Sequence, residues 1–230
     1  YLRKVQFEES QLNRADLQYA DLSEAKLQNA NLSKANLQNA NLSYANLQNA
    51  DLTEANLQNA NLSKANLQNA ALLFAELQNA NLSGAELQNA NLSGANLQNA
   101  DLTEANLQNA NLSKANLQNA ALLFAELQNA NLSGAELQNA TLWFAKLQNA
   151  KLLFAELQNA NLRECALSWE HLKQVSYGGL TDSQITEDDF ADKFYPEWKA
   201  EADSEWEALT GFQRMAVMQI FLNETKMYIS

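Results

Sequence analysis

The chain has 230 residues, with 15 Lys and Arg against 27 Asp and Glu, a formal net charge of −12. Six Gly, one Pro, one Cys and one His complete an unusual composition. One Cys excludes an internal disulfide framework, and one Cys with one His cannot build a Cys/His zinc site. The acidic balance argues against a nucleic-acid phosphate backbone as partner. No run of about 18 apolar residues suggests a membrane span and the start is not signal-like, so a cytoplasmic, soluble protein is expected.

Internal repetition dominates from the first residues. From Leu2 to Leu172 every fifth residue is Leu, Phe7 being the one exception among 35 positions. An unbroken series of 30 Ala, Ala15 to Ala160, stands two residues before each Leu. Leu-Gln-Asn-Ala returns every ten residues from Leu27 to Leu157, and residues 51–90 and 101–140 are identical. On an α-helix a period of five advances each Leu by about 140°, which spreads them over every face. On a flat strand an odd period alternates them between two faces. Only a chain that turns about a quarter circle every five residues gathers both columns inside. Four pentapeptides then close a square coil of about 20 residues, and stacked coils bury Leu and Ala. Ala at the second inward position is a steric requirement of so narrow a bore.

The runs Ala30-Asn31-Leu32-Ser33-Lys34 and Ala50-Asp51-Leu52-Thr53-Glu54 resemble the Ala-(Asp/Asn)-Leu-X-X signature of the pentapeptide-repeat family. The resemblance covers about 1–175 and implies a right-handed quadrilateral parallel β-helix, an all-β solenoid. About nine coils over 1–177 are expected, followed by an α-helical C-terminal cap or dimerisation segment over 178–230.

The Leu-Gln-Asn units fall on two opposite faces, where Gln28, Gln48 and Gln68 stack in register and can form amide ladders. The variable units occupy the other two faces. Leu123, Phe124, Trp143 and Phe144 become outward neighbours on adjacent coils, and an apolar cluster of this kind marks a contact patch. Leu73-Phe74 falls beside Gly94 and Leu153-Phe154 beside Gly134, so each Phe ring is expected to lie over a missing side chain. Cys165 takes an Ala position and reads as a small buried hydrophobe. His171 takes an outward position and reads as a surface residue.

After Tyr177 and Gly178-Gly179 the period is lost. Thr186-Glu187-Asp188-Asp189 resembles a capping box, Pro196 suits the first turn of a second helix, and Thr210 can cap a third. Trp198, Trp206, Phe212, Met215, Ile220 and Phe221 are the apolar residues through which these helices would cap the rod or pair two copies, and Val217 lies on the same broad apolar face of the third. In gyrase-inhibiting members of the family the C-terminal helices dimerise, and the resemblance implies that role here. The partners expected are therefore further copies of the chain, through these helices or end to end near Tyr1 to Phe7. No nucleic acid, membrane or small-molecule substrate is expected.

No nucleophile–base pair or metal cluster emerges, so no catalytic residue, cofactor or metal is assigned. The primary functional reading is a non-enzymatic structural scaffold of engineered or idealised sequence. The duplication offset of 50 residues, two and a half coils, moves Leu73-Phe74 and Leu123-Phe124 to opposite faces, which suits modular assembly better than selection of one continuous surface. The alternative is a natural protein-binding module such as a DNA-mimicking gyrase inhibitor. Residues 1–180 carry 16 acidic and 11 basic residues, a net −5 on a rod near 43 Å long. Duplex DNA of that length carries about 25 charges, which disfavours mimicry.

Overall fold

The computed structural model describes residues 2–162, 164 and 165. Over that span the chain winds as a solenoid in which every fifth residue, from Gln6 on, bridges in parallel the residue 20 positions on: Gln6 pairs with Lys26, Asp21 with Asn41, and so on to Thr141 with Asn161. The described residues make just over eight coils. Each coil has four short sides, and each side is one pentapeptide.

The pentapeptide Asn41–Ala45 shows why five residues suffice for a side and a corner. The Asn41 N–H donates to Ala20 O on the preceding coil (2.9 Å), while the Leu42 and Tyr44 N–H groups donate to Asn61 O and Ser63 O on the following coil (2.7 and 3.0 Å). Ala45 N–H closes the corner on Leu42 O at 3.0 Å. The remaining donor, Ser43 N–H, reaches the Asn41 side-chain Oδ1 at 3.1 Å. All five donors are satisfied without a continuous strand, which meets the requirement that buried backbone polar groups be paired.

The corner is a type II turn: Leu42 to Ala45 are joined by the backbone bond, and Tyr44 at the third position has φ 59°. The same left-handed conformation recurs at every fifth residue from Lys4 to Glu164, with φ between 53° and 67°. This explains Leu-Gln-Asn-Ala as a structural unit. Leu and Ala are its two inward residues, and Asn occupies the position where it tolerates the left-handed region better than other residues with a side chain.

The bore is filled by two columns. Every fifth residue from Leu22 to Leu162 is a buried Leu and every fifth residue from Ala25 to Ala160 a buried Ala, with no more than 3% exposure. Leu2, Val5, Phe7, Leu12, Leu17 and Ala20 of the first coil are only partly buried, packed against that core on one side. Cys165 continues the Ala column, buried as expected, with its thiol donating to Leu142 O. The expected α-helical segment and His171 lie outside the described residues, as do Trp198, Trp206, Phe212, Met215, Ile220 and Phe221. No described helix is long and apolar enough to cross a membrane.

Candidate contact surface

Because the core and the backbone bonds are the same in every side, any site must be written on the corners and on the residue before each Leu. The residue before Leu has a defined task. Wherever Asn or Asp stands there between Asp16 and Asn131, its Oδ1 accepts the N–H two residues on, as in Asp21 to Ser23, Asp51 to Thr53, Asn96 to Gln98 and Asn131 to Ser133. Ala71, Glu76, Glu86, Ala121, Glu126 and Glu136 cannot place an oxygen at that distance, and the corresponding N–H groups receive no such cap.

Where Glu takes this place the outer wall is rewired. Gln48 donates to Gln68 Oε1 (3.3 Å), Gln38 to Gln58 (3.1 Å) and Gln98 to Gln118 (3.1 Å), so amide ladders form as the stacking implies. At Glu86, Glu126 and Glu136 the amides of Gln68, Gln108 and Gln118 turn to the carboxylate instead, each at 3.0 Å. The buried Oε1 atoms of Gln28, Gln78, Gln88, Gln128, Gln138 and Gln158 have no hydrogen-bond partner. Each of these follows a Lys or Glu two positions earlier: Lys26, Glu76, Glu86, Glu126, Glu136 or Glu156. The ladder expected through Gln28, Gln48 and Gln68 is therefore real between the last two and broken at Gln28.

Corner side chains stack in columns of period 20. Lys34 pairs with Glu54 (3.3 Å), Lys4 with Glu24 (3.1 Å), and the Lys64 ammonium lies over the Tyr44 ring at 5.7 Å. Arg3 also reaches Glu24 at 2.7 Å. These two cations hold the Glu24 carboxyl below its ordinary range. Asp21 is lowered too, first by the Ser23 hydroxyl and backbone N–H and then by Arg3.

Where a corner is Gly, the corner side chain one coil earlier leans toward it. The ring of Phe74 covers Gly94, and Lys64 and Lys114 lie against Gly84 and Gly134. The expectation that Phe154 lies over Gly134 is therefore corrected: that space belongs to Lys114, which reaches it from the preceding coil. Phe154 remains 66% exposed.

The four residues read from sequence as a contact patch do come together. Phe124 and Phe144 stack with ring centroids 5.2 Å apart and planes 6° apart, and Trp143 stacks on Phe144 at 5.3 Å and 22°. Leu123 is half-buried beside them, while Phe124, Phe144 and Trp143 stay exposed. The column reads Glu104, Phe124, Phe144, Glu164, a two-ring apolar step between two carboxylates. Among the described residues no group of three or more His, Cys, Asp or Glu could hold a metal ion.

A model for pentapeptide repeats matches in eight copies, over residues 1–29, 20–59, 30–69, 60–99, 95–134 and 125–163. The chain belongs to the pentapeptide-repeat family. It is a right-handed quadrilateral β-helix, the fold of that family. Among solved structures it is similar to HetL, a pentapeptide repeat protein involved in heterocyst differentiation regulation from the cyanobacterium Nostoc, at 34% identity. That likeness covers 79% of this chain and 85% of HetL, with a TM-score of 0.56. A pentapeptide repeat protein of the Arabidopsis thaliana thylakoid lumen matches at 29% identity over 47% of this chain and 69% of its own, TM-score 0.30. QnrB1, a plasmid-mediated fluoroquinolone resistance protein, matches at 18% identity over 76% and 91%, TM-score 0.31. No curated protein matches the chain.

Proposed function

We propose that this pentapeptide-repeat protein is a non-enzymatic structural scaffold, an idealised rod on which outward residues are presented without altering the fold. One observation carries the reading. Lys34, Tyr44, Glu54, Phe74, Gly94 and Asn99 all occupy corners of the same geometry, with φ between 55° and 66°. The residue type at a corner is thus uncoupled from the backbone around it. The core and the donor accounting use none of the corner side chains, so variation there costs little beyond the local backbone preference.

The alternative, a DNA-mimicking topoisomerase inhibitor, needs a continuous acidic surface. Instead, acids on the corners alternate with cations along the same column, as Lys34 with Glu54 and Lys4 with Glu24. Lys146 with Glu126, on the wall, does the same. Gyrase supercoiling assayed with the full chain at micromolar concentration is expected to proceed unchanged. Inhibition in that range would replace the scaffold reading by the inhibitor reading.

A further inference from the structure

The stacked rings on the last described coils have a shape and a charge that select an occupant. Phe124 and Phe144 lie one coil apart, flanked along the column by Glu104 and Glu164, which bear no ion pair among the described residues. Four successive rungs at about 4.8 Å put the two carboxylates roughly 14 Å apart. We infer that this step is the docking site of the chain's own residues 208–222, which lie outside the described residues, laid as a helix along the column with Arg214 toward one of the flanking carboxylates.

Three features select this occupant. First, 208–222 carries Phe212, Met215, Val217, Ile220 and Phe221 and a single charge, Arg214. The preceding stretch, 182–207, carries ten acidic and two basic residues, so the same two carboxylates that attract the first segment repel the second. Second, the lengths agree. Phe212 to Phe221 spans nine residues, about 13.5 Å on a helix, which matches the step between Glu104 and Glu164. Third, the site is within reach. Cys165 sits one coil beyond Leu142 and Ala145, bonded to Leu142 O, and 45 residues separate it from Thr210. Being on the same chain raises the local concentration of the segment well above that of a second copy at ordinary protein concentrations.

Disulfide trapping in the full chain tests this. In a Cys165→Ala background, Phe144→Cys is paired with Met215→Cys, and Phe124→Cys with Met215→Cys. Tyr44→Cys with Met215→Cys is the control, since Tyr44 shares the column five coils away from Phe144. Each corner replaced already carries an aromatic side chain at positive φ, so the smaller Cys leaves the rod intact. At least one ring pair should close an intramolecular disulfide ten or more times faster than the control, and Arg214→Glu should slow it several-fold. Equal rates for all pairs would overturn the inference. Disulfide-linked dimers in place of closed monomers would also overturn it and assign the rings to a second copy.

Discussion

Phe74 lies flat across Gly94: a Cβ placed on that glycine would fall 2.5 Å from Cε1 and 2.6 Å from Cδ1 of the ring. Gly94 also has φ 66°, so Gly94→Ala carries both a backbone penalty and a steric one. Gly134→Ala, with only Lys114 Cγ at 3.6 Å, carries the backbone penalty alone. The expected losses are about 2–3 kcal/mol at 94 and about 1 kcal/mol at 134. Chemical denaturation measures both. Repeating Gly94→Ala in a Phe74→Ala chain should bring its cost down to that at 134.

The Asx bonds predict opposite signs at two sites. Asn116→Ala removes the acceptor for Gln118 N–H, now at 3.1 Å, and should cost about 1 kcal/mol, as loss of a comparable helix cap does. Ala71→Asn supplies the missing acceptor for Leu73 N–H and should gain roughly 0.5–1 kcal/mol. Equal and negligible shifts in the denaturation midpoint would remove the Asn side chain from the account of the fold.

Ala95 is buried beside the Leu column with no accessible surface. Ala95→Leu adds three heavy atoms to a bore already filled by Leu92 and Leu97, so a loss of at least about 2 kcal/mol is expected. Thermal unfolding at the wild-type temperature would show that this column does not face the core.

Acid should loosen the first coils before the rest. Glu24 and Asp21 are both held below their ordinary range in the folded protein, Glu24 by Arg3 and Lys4, Asp21 by Ser23. A depressed carboxyl contributes stability that is complete above its unfolded value, near 4, and is lost as pH falls through the folded value. Amide hydrogen exchange at residues 2–25 should therefore accelerate below about pH 4, relative to residues 60–100, after correction for intrinsic rates. Uniform protection along the rod at pH 3 would contradict this.

The interior of this protein is legible in its sequence because a five-residue period admits one arrangement that buries both columns. Leu22 to Leu162 and Cys165 all fall where the period puts them. The task of Asn was less legible. Asn39 and Asn41 look alike in the sequence, yet one is a left-handed corner and the other accepts the Ser43 N–H. Distinguishing them requires the turn type, which composition does not reveal. The direction in which corner side chains lean was not legible at all. At the glycine corners it is forward, and it gives Gly134 to Lys114 rather than to Phe154. The juxtaposition of Phe124 and Phe144 was legible because aromatic residues 20 positions apart must stack on neighbouring coils. The broken Gln ladders were missed because the signal, Glu or Lys two residues before Gln, is visible only once the Asx bond is known.

The charged side chains at the corners are not required for the fold. Replacing Lys34, Glu54, Lys64, Glu104 and Lys114 together by Asn tests this directly, with the thermal unfolding midpoint and circular dichroism as readouts. All five hold φ between 55° and 60°, where Asn is the better-suited residue. The account predicts an unchanged spectrum and a midpoint equal to or above the original, the lost Lys34–Glu54 ion pair being worth little at the surface. A lower midpoint with lost cooperativity would contradict it, because the corners would then be part of what holds the coil together.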